Sequence, residues 1–108
     1  MTETKEQYQA RKKRQREEYE RRRVEKIERL RSALERKKQQ FEKNQAFLHR
    51  LEDNIYRVND ERYLAKGRRK DSLLDKLSSM QDKKREVISQ AATLCHQMDE
   101  IRDKIAII

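Results

Sequence analysis

The chain has 108 residues, of which 45% are Asp, Glu, Lys or Arg, 33% are hydrophobic and 6% are aromatic, and its formal net charge is +9. A mean hydropathy of -1.37 leaves too little apolar surface to wrap a compact core around every side chain, which excludes an ordinary globular enzyme domain. The lack of proline, the single glycine and a sustained apolar period separate the sequence from disordered chains of similar charge.

Residues 1–40 hold 15 Lys and Arg against 8 Asp and Glu, a net of +7, whereas residues 41–108 hold 14 against 12, a net of +2. The chain thus reads as a basic arm, residues 1–29, joined to a nearly neutral body. In the arm, Arg11, Lys12, Lys13, Arg14 and Arg16 form one basic block, and Arg21, Arg22 and Arg23 follow after Glu17, Glu18 and Glu20. Glu17 with Arg21, Glu18 with Arg22 and Glu25 with Arg29 are i,i+4 pairs in the favourable orientation, each worth about 0.2–0.5 kcal/mol in an isolated helix. A helix that holds without a partner is predicted here. Tyr8, Tyr19, Leu30 and Phe41 recur every eleven residues, a spacing that returns to within about 20° of the same azimuth. Tyr8, Arg11, Lys12, Lys13, Arg14, Arg16, Tyr19, Arg21, Arg22 and Arg23 are the expected partner-binding residues: charge steers an acidic partner and the rings seat it.

From residue 30 to residue 66 a first heptad helix is expected. The 3,4 spacing begins at Ile27 and runs through Leu30, Leu34, Lys37, Phe41, Asn44, Leu48, Leu51, Ile55, Val58 and Arg62 to Ala65. Nine of these twelve positions are apolar, which marks a coiled-coil seam. A second run covers residues 72–108 as Leu73, Leu77, Met80, Lys84, Val87, Ala91, Leu94, Met98, Ile101, Ile105 and Ile108, with Lys84 its one polar member.

The two runs are out of frame by one residue, and the break falls at residues 67–71. Gly67 is expected at a left-handed helix stop, Arg68, Arg69 and Lys70 as an exposed turn, and Ser72 with Asp75 as a capping box for the second helix. The fold class is therefore all-α, an antiparallel helical hairpin with a protruding basic N-terminal helix. In the expected register Ala65 faces Leu73, Val58 faces Met80, Leu51 faces Val87, Phe41 faces Met98 and Leu34 faces Ile105. The alternative is one continuous rod-like helix of about 160 Å in a coiled-coil oligomer with a partner chain.

The longest apolar runs are as short as residues 105–108, so neither a membrane span nor a secretory signal is read and no membrane partner is expected. One cysteine, Cys95, forms no intramolecular disulfide and favours a reducing compartment; a cytoplasmic or cytoskeletal location is expected, with a nuclear one as the alternative. Two histidines, His49 and His96, fall on different turns of different helices, and no glycine-rich phosphate loop is present. No catalytic, cofactor or metal site is expected.

The functional expectation is a non-enzymatic structural or adaptor coiled coil, a scaffold whose basic helix docks on an acidic protein surface or polymer, with microtubules and their tubulin favoured. Nonspecific nucleic-acid binding is the first alternative. The order of basic stretch and heptads is similar to that of basic-leucine-zipper proteins, but residues 11–23 lack the Asn and paired Ala of such a region, and Glu17, Glu18 and Glu20 oppose phosphate. A stalk or inhibitor helix of an ATPase complex is the second alternative.

Overall fold

A computed structural model describes residues 2–108; Met1, counted with the arm above, lies outside them. Two helices account for nearly all of it: α1, Lys5–Leu64, and α2, Arg68–Ile107. They fold back on one another as an antiparallel hairpin measuring 96 × 17 × 15 Å, with α1 passing unbroken from the arm into the heptads.

The start of α1 is fixed locally. Thr4 is its N-cap: the Gln7 backbone N–H donates to Thr4 Oγ1 at 3.2 Å, and the Thr4 backbone N–H donates to Gln7 Oε1 at 3.0 Å. This reciprocal box satisfies two backbone donors that a helix start otherwise leaves open. Its Thr-x-x-Gln signature is legible in the sequence and escaped the reading above.

The turn is tighter than expected. Ala65 is extended (φ -89, ψ 151), and its N–H donates to the Arg62 carbonyl at 3.3 Å. Gly67 (φ 64, ψ -135) is then the N-cap of α2, without a side-chain cap. A positive φ with that ψ is open to glycine and strained for any residue carrying a Cβ, so Gly67 supplies the reversal itself rather than a left-handed stop after α1. Arg68, Arg69 and Lys70, expected as turn, form the first turn of α2, and Ser72 lies inside the helix instead of capping it.

The seam is where the heptads place it. Leu51, Val58, Leu73, Val87 and Met98 are buried, and every other expected seam residue, from Leu34, Phe41, Leu48 and Ile55 to Leu77, Met80, Leu94, Ile101 and Ile105, is half-buried. Val87 is the most enclosed at 2% exposure.

The register, however, is displaced by one heptad from the expected one. Asn44 Nδ2 donates to the Val87 carbonyl at 3.1 Å, and Arg23 Nε donates to the Ile108 backbone oxygen at 2.8 Å. Continuing from these anchors, Val58 is level with Leu73, Leu51 with Met80, Leu34 with Met98 and Ile27 with Ile105. The physical reason lies in the turn and in the layers it creates. Closing the reversal at residues 65–67 trades a layer built on Ala65 for one built on Ile27, and moves Arg62 out of the seam to the tip. It also sets bulky Phe41 level with small Ala91, which lets the two surfaces interdigitate. Lys37, Asn44 and Lys84 remain as polar seam members. The Lys84 stem runs along the seam while its Nζ reaches Glu52 Oε1 at 3.9 Å, and Asn44 Oδ1 accepts from Gln45 Nε2 at 3.2 Å.

Candidate docking surface on the basic arm

Since the end of α2 is level with Arg23, the part of α1 that projects is residues 5–22 rather than 1–29. That is about five helical turns, near 27 Å. All of residues 2–26 are exposed. Ile27 and Leu30, by contrast, are half-buried, so they belong to the hairpin body.

Within the arm the predicted charge pairs form in part. Arg22 Nη2 lies 2.8 Å from Glu18 Oε1 and Arg29 Nη2 lies 4.0 Å from Glu25 Oε2, both at i,i+4. Arg21 turns to Glu18 at 3.9 Å instead of to Glu17, Arg23 lies 3.7 Å from Glu20, and Arg11 reaches back to Glu3 at 3.2 Å. Among the described residues Lys12, Lys13, Arg14 and Arg16 have no carboxylate within 4.0 Å, so the basic block is the unneutralised centre of the arm. Arg23 stands apart from the other expected docking residues because its guanidinium is held at the end of α2.

Tyr8 and Tyr19 are 47% and 68% exposed and border a shallow groove lined also by Gln9, Lys12, Gln15, Arg16 and Glu20. Arg11 and Lys12 stack toward the Tyr8 ring, at 5.5 and 5.7 Å from its centroid. At 100° per residue, Tyr19 stands about 20° and Tyr8 about 40° round the axis from Leu30. Leu30 itself is half-buried against α2, as is Phe41 one step further. The eleven-residue line therefore divides in two: its first half is an open aromatic face and its second half is seam. Periodicity alone does not show where that change occurs, because it depends on where α2 ends.

Elsewhere the surface is chemically quiet. The groove beside the seam at Asn44 and Phe47 is lined by Lys37, Lys43 and Lys83 with Ser89, Gln90 and Thr93, and no carboxylate or imidazole is among its lining residues. Among the described residues no three of His, Cys, Asp and Glu converge as metal ligands. His96 Nε2 instead meets Glu100 Oε1 at 2.8 Å on the exposed face of α2, and Cys95 is free and exposed. Among the described residues no helix is long and apolar enough to cross a membrane.

The chain matches no protein-family model, no curated protein and no solved structure.

Proposed function

We propose that this protein is a non-enzymatic adaptor, a stiff helical hairpin that presents a basic arm to an acidic protein surface or polymer. A cytoskeletal polymer is favoured, and the acidic surface of microtubules first among them. The observation that carries this reading is the arm itself: about five turns of exposed helix, continuous with a braced body, in which Lys12, Lys13, Arg14 and Arg16 have no carboxylate partner and Lys12 and Arg16 border the groove between Tyr8 and Tyr19. Long-range attraction to the basic block brings the partner in, and Tyr8 and Tyr19 supply apolar contact once it is close. Because α1 is unbroken, the orientation of a docked arm fixes the orientation of the whole hairpin.

Binding through nucleic-acid phosphate is the competing reading. The carboxylates of Glu17, Glu18 and Glu20 follow the basic block and interrupt the continuous track of cations that a run of backbone phosphates would meet, which counts against it.

Co-sedimentation of the chain with microtubules and with actin filaments, over a salt series, tests the proposal. The wild-type chain is expected to pellet with microtubules at low salt and to be released as salt rises. Reversal of Lys12, Lys13, Arg14 and Arg16 to Glu is expected to abolish pelleting without changing helicity. Failure of the wild-type chain to pellet with either polymer at low salt overturns the cytoskeletal reading, and pelleting that survives the reversal moves the site off the arm.

A further inference from the structure

The end of the rod opposite the arm carries a second cluster of positive charge. Between residues 62 and 70 there are five cations, Arg62, Lys66, Arg68, Arg69 and Lys70, and no acidic residue. In the arm, Arg11, Arg21, Arg22 and Arg23 each reach a glutamate. At the tip, among the described residues, none of the five has a carboxylate within 4.0 Å, although Asp60, Glu61 and Asp71 are near in sequence. Two large apolar side chains share this end: Tyr63 is 81% exposed and Leu64 is 89% exposed. The Arg62 guanidinium sits 5.7 Å from the Tyr63 ring centroid, which leaves Leu64 as the bare hydrocarbon of the tip.

Folding alone does not favour this arrangement. The N-terminus of α2 carries the positive end of the helix dipole, it has no side-chain cap, and three of the four residues in its first turn are basic; only Asp71 opposes them. A tip selected for stability would carry acidic residues there. The cluster thus costs the hairpin stability that an anionic contact would return.

We propose that the hairpin tip docks end-on to an anionic phospholipid surface. The headgroups neutralise the five cations while Leu64 and Tyr63 enter the boundary between headgroups and acyl chains. Leu64 is what separates a lipid surface from nucleic-acid phosphate, which provides cation contacts but no hydrocarbon for an aliphatic side chain. The end of a rod only 17 × 15 Å in cross-section also suits a flat surface met end-on rather than a groove followed along its length. Clusters of four to eight Lys and Arg bind anionic leaflets in this way, each residue adding about fivefold to the partition. This is a surface contact and not a span, so it stands beside the absence of a membrane-crossing helix. With a docked arm at the other end, the molecule would hold a polymer and a lipid surface about the length of the rod apart.

The experiment compares full-length chains in sedimentation with vesicles of phosphatidylcholine alone and of phosphatidylcholine mixed with phosphatidylserine. The wild-type chain is expected to bind only the mixed vesicles. The tip variant Arg68→Glu, Arg69→Glu, Lys70→Glu is expected to lose at least about a hundredfold in partition. Its thermal midpoint should rise, because acids in the first turn of α2 suit the dipole, and this separates lost binding from lost folding. Leu64→Ser should weaken partition several-fold with no change in stability. The arm variant with Lys12, Lys13, Arg14 and Arg16 changed to Glu should keep most of the binding, and its microtubule pelleting reports separately on the arm. Equal losses in tip and arm variants would show attraction by total charge and overturn the tip assignment. So would binding of the wild-type tip to single-stranded RNA but not to phosphatidylserine vesicles.

Discussion

Heptads permit more than one antiparallel register, and the tight turn selects one of them; a cross-link can tell them apart. In a Cys95→Ser background, Ile27→Cys with Ile105→Cys places two thiols level across the seam at the open end of the hairpin. Leu34→Cys with Ile105→Cys places them one heptad apart, an axial offset of about 10 Å. Disulfides need Cα atoms separated by roughly 4.4–6.8 Å, so the first pair closes and the second does not. The closed bond would tie a loop of about 80 residues, for which chain entropy gives about 4.5 kcal/mol of stabilisation as an upper value. Comparing oxidised and reduced forms of the same variant cancels the lost Ile packing. For a body of this size the gain corresponds to a rise in Tm of roughly 25 °C. The assay is non-reducing gel mobility after mild oxidation at low protein concentration, followed by thermal melting monitored by circular dichroism. Faster closure of the Leu34→Cys pair than of the Ile27→Cys pair would refute the register and, with it, the argument that the turn sits at residues 65–67.

Gly67→Ala should cost about 1–3 kcal/mol in urea unfolding through backbone strain alone, since a Cβ there meets no atom within 4 Å; an unchanged midpoint would mean that the turn is not held in this conformation. Asn44→Leu should raise stability by about 1 kcal/mol, exchanging a part-buried hydrogen bond for apolar contact with Val87. A drop of similar size would show that the Val87 carbonyl contact carries more than its usual net worth. Thr4→Ala should speed amide exchange in the first two turns of α1 and leave the global unfolding midpoint in place, because those turns pack against nothing.

The seam positions were legible because burial in a two-helix hairpin follows one stripe on each helix, and a heptad pattern records that stripe directly. Even the polar members that stay in the seam, Lys37, Asn44 and Lys84, are half-buried as their positions require. Register was not legible in the same way. Sliding α2 by seven residues restores every a and d position, so the choice rests on differences between layers: Ile27 against Ala65, or Arg62 inside the seam against Arg62 at the tip. Those differences hang on the turn, and the turn hangs on one φ. The signals at residues 67–75 predict a stop, an exposed turn and a capping box, one after another. Gly67 adopts a conformation that completes the reversal by itself, so Arg68, Arg69 and Lys70 continue directly as helix. The basic cluster at the tip was visible as a charge run, but its concentration at one end of a rod depends on a turn only three residues long.

Stability is unevenly distributed along this molecule, and that bears on how the arm would work. The buried residues Leu51, Val58, Leu73, Val87 and Met98 all lie in the paired body, whereas the projecting turns 5–22 have no tertiary contact to hold them. What maintains the arm is local: the Thr4–Gln7 box and a few ion pairs of about 0.2–0.5 kcal/mol each. α1 is nucleated from its braced half, so the arm propagates helix without the cost of starting it. A partner seating on Tyr8, Tyr19 and the basic block then meets a largely formed helix and spends little of its binding energy on ordering it. Salt acts twice on such a site, screening the approach of an acidic partner and weakening the pairs that steady the arm. Binding should therefore fall with ionic strength more steeply than attraction to the unpaired cations alone would require, while the melting of the body stays nearly constant.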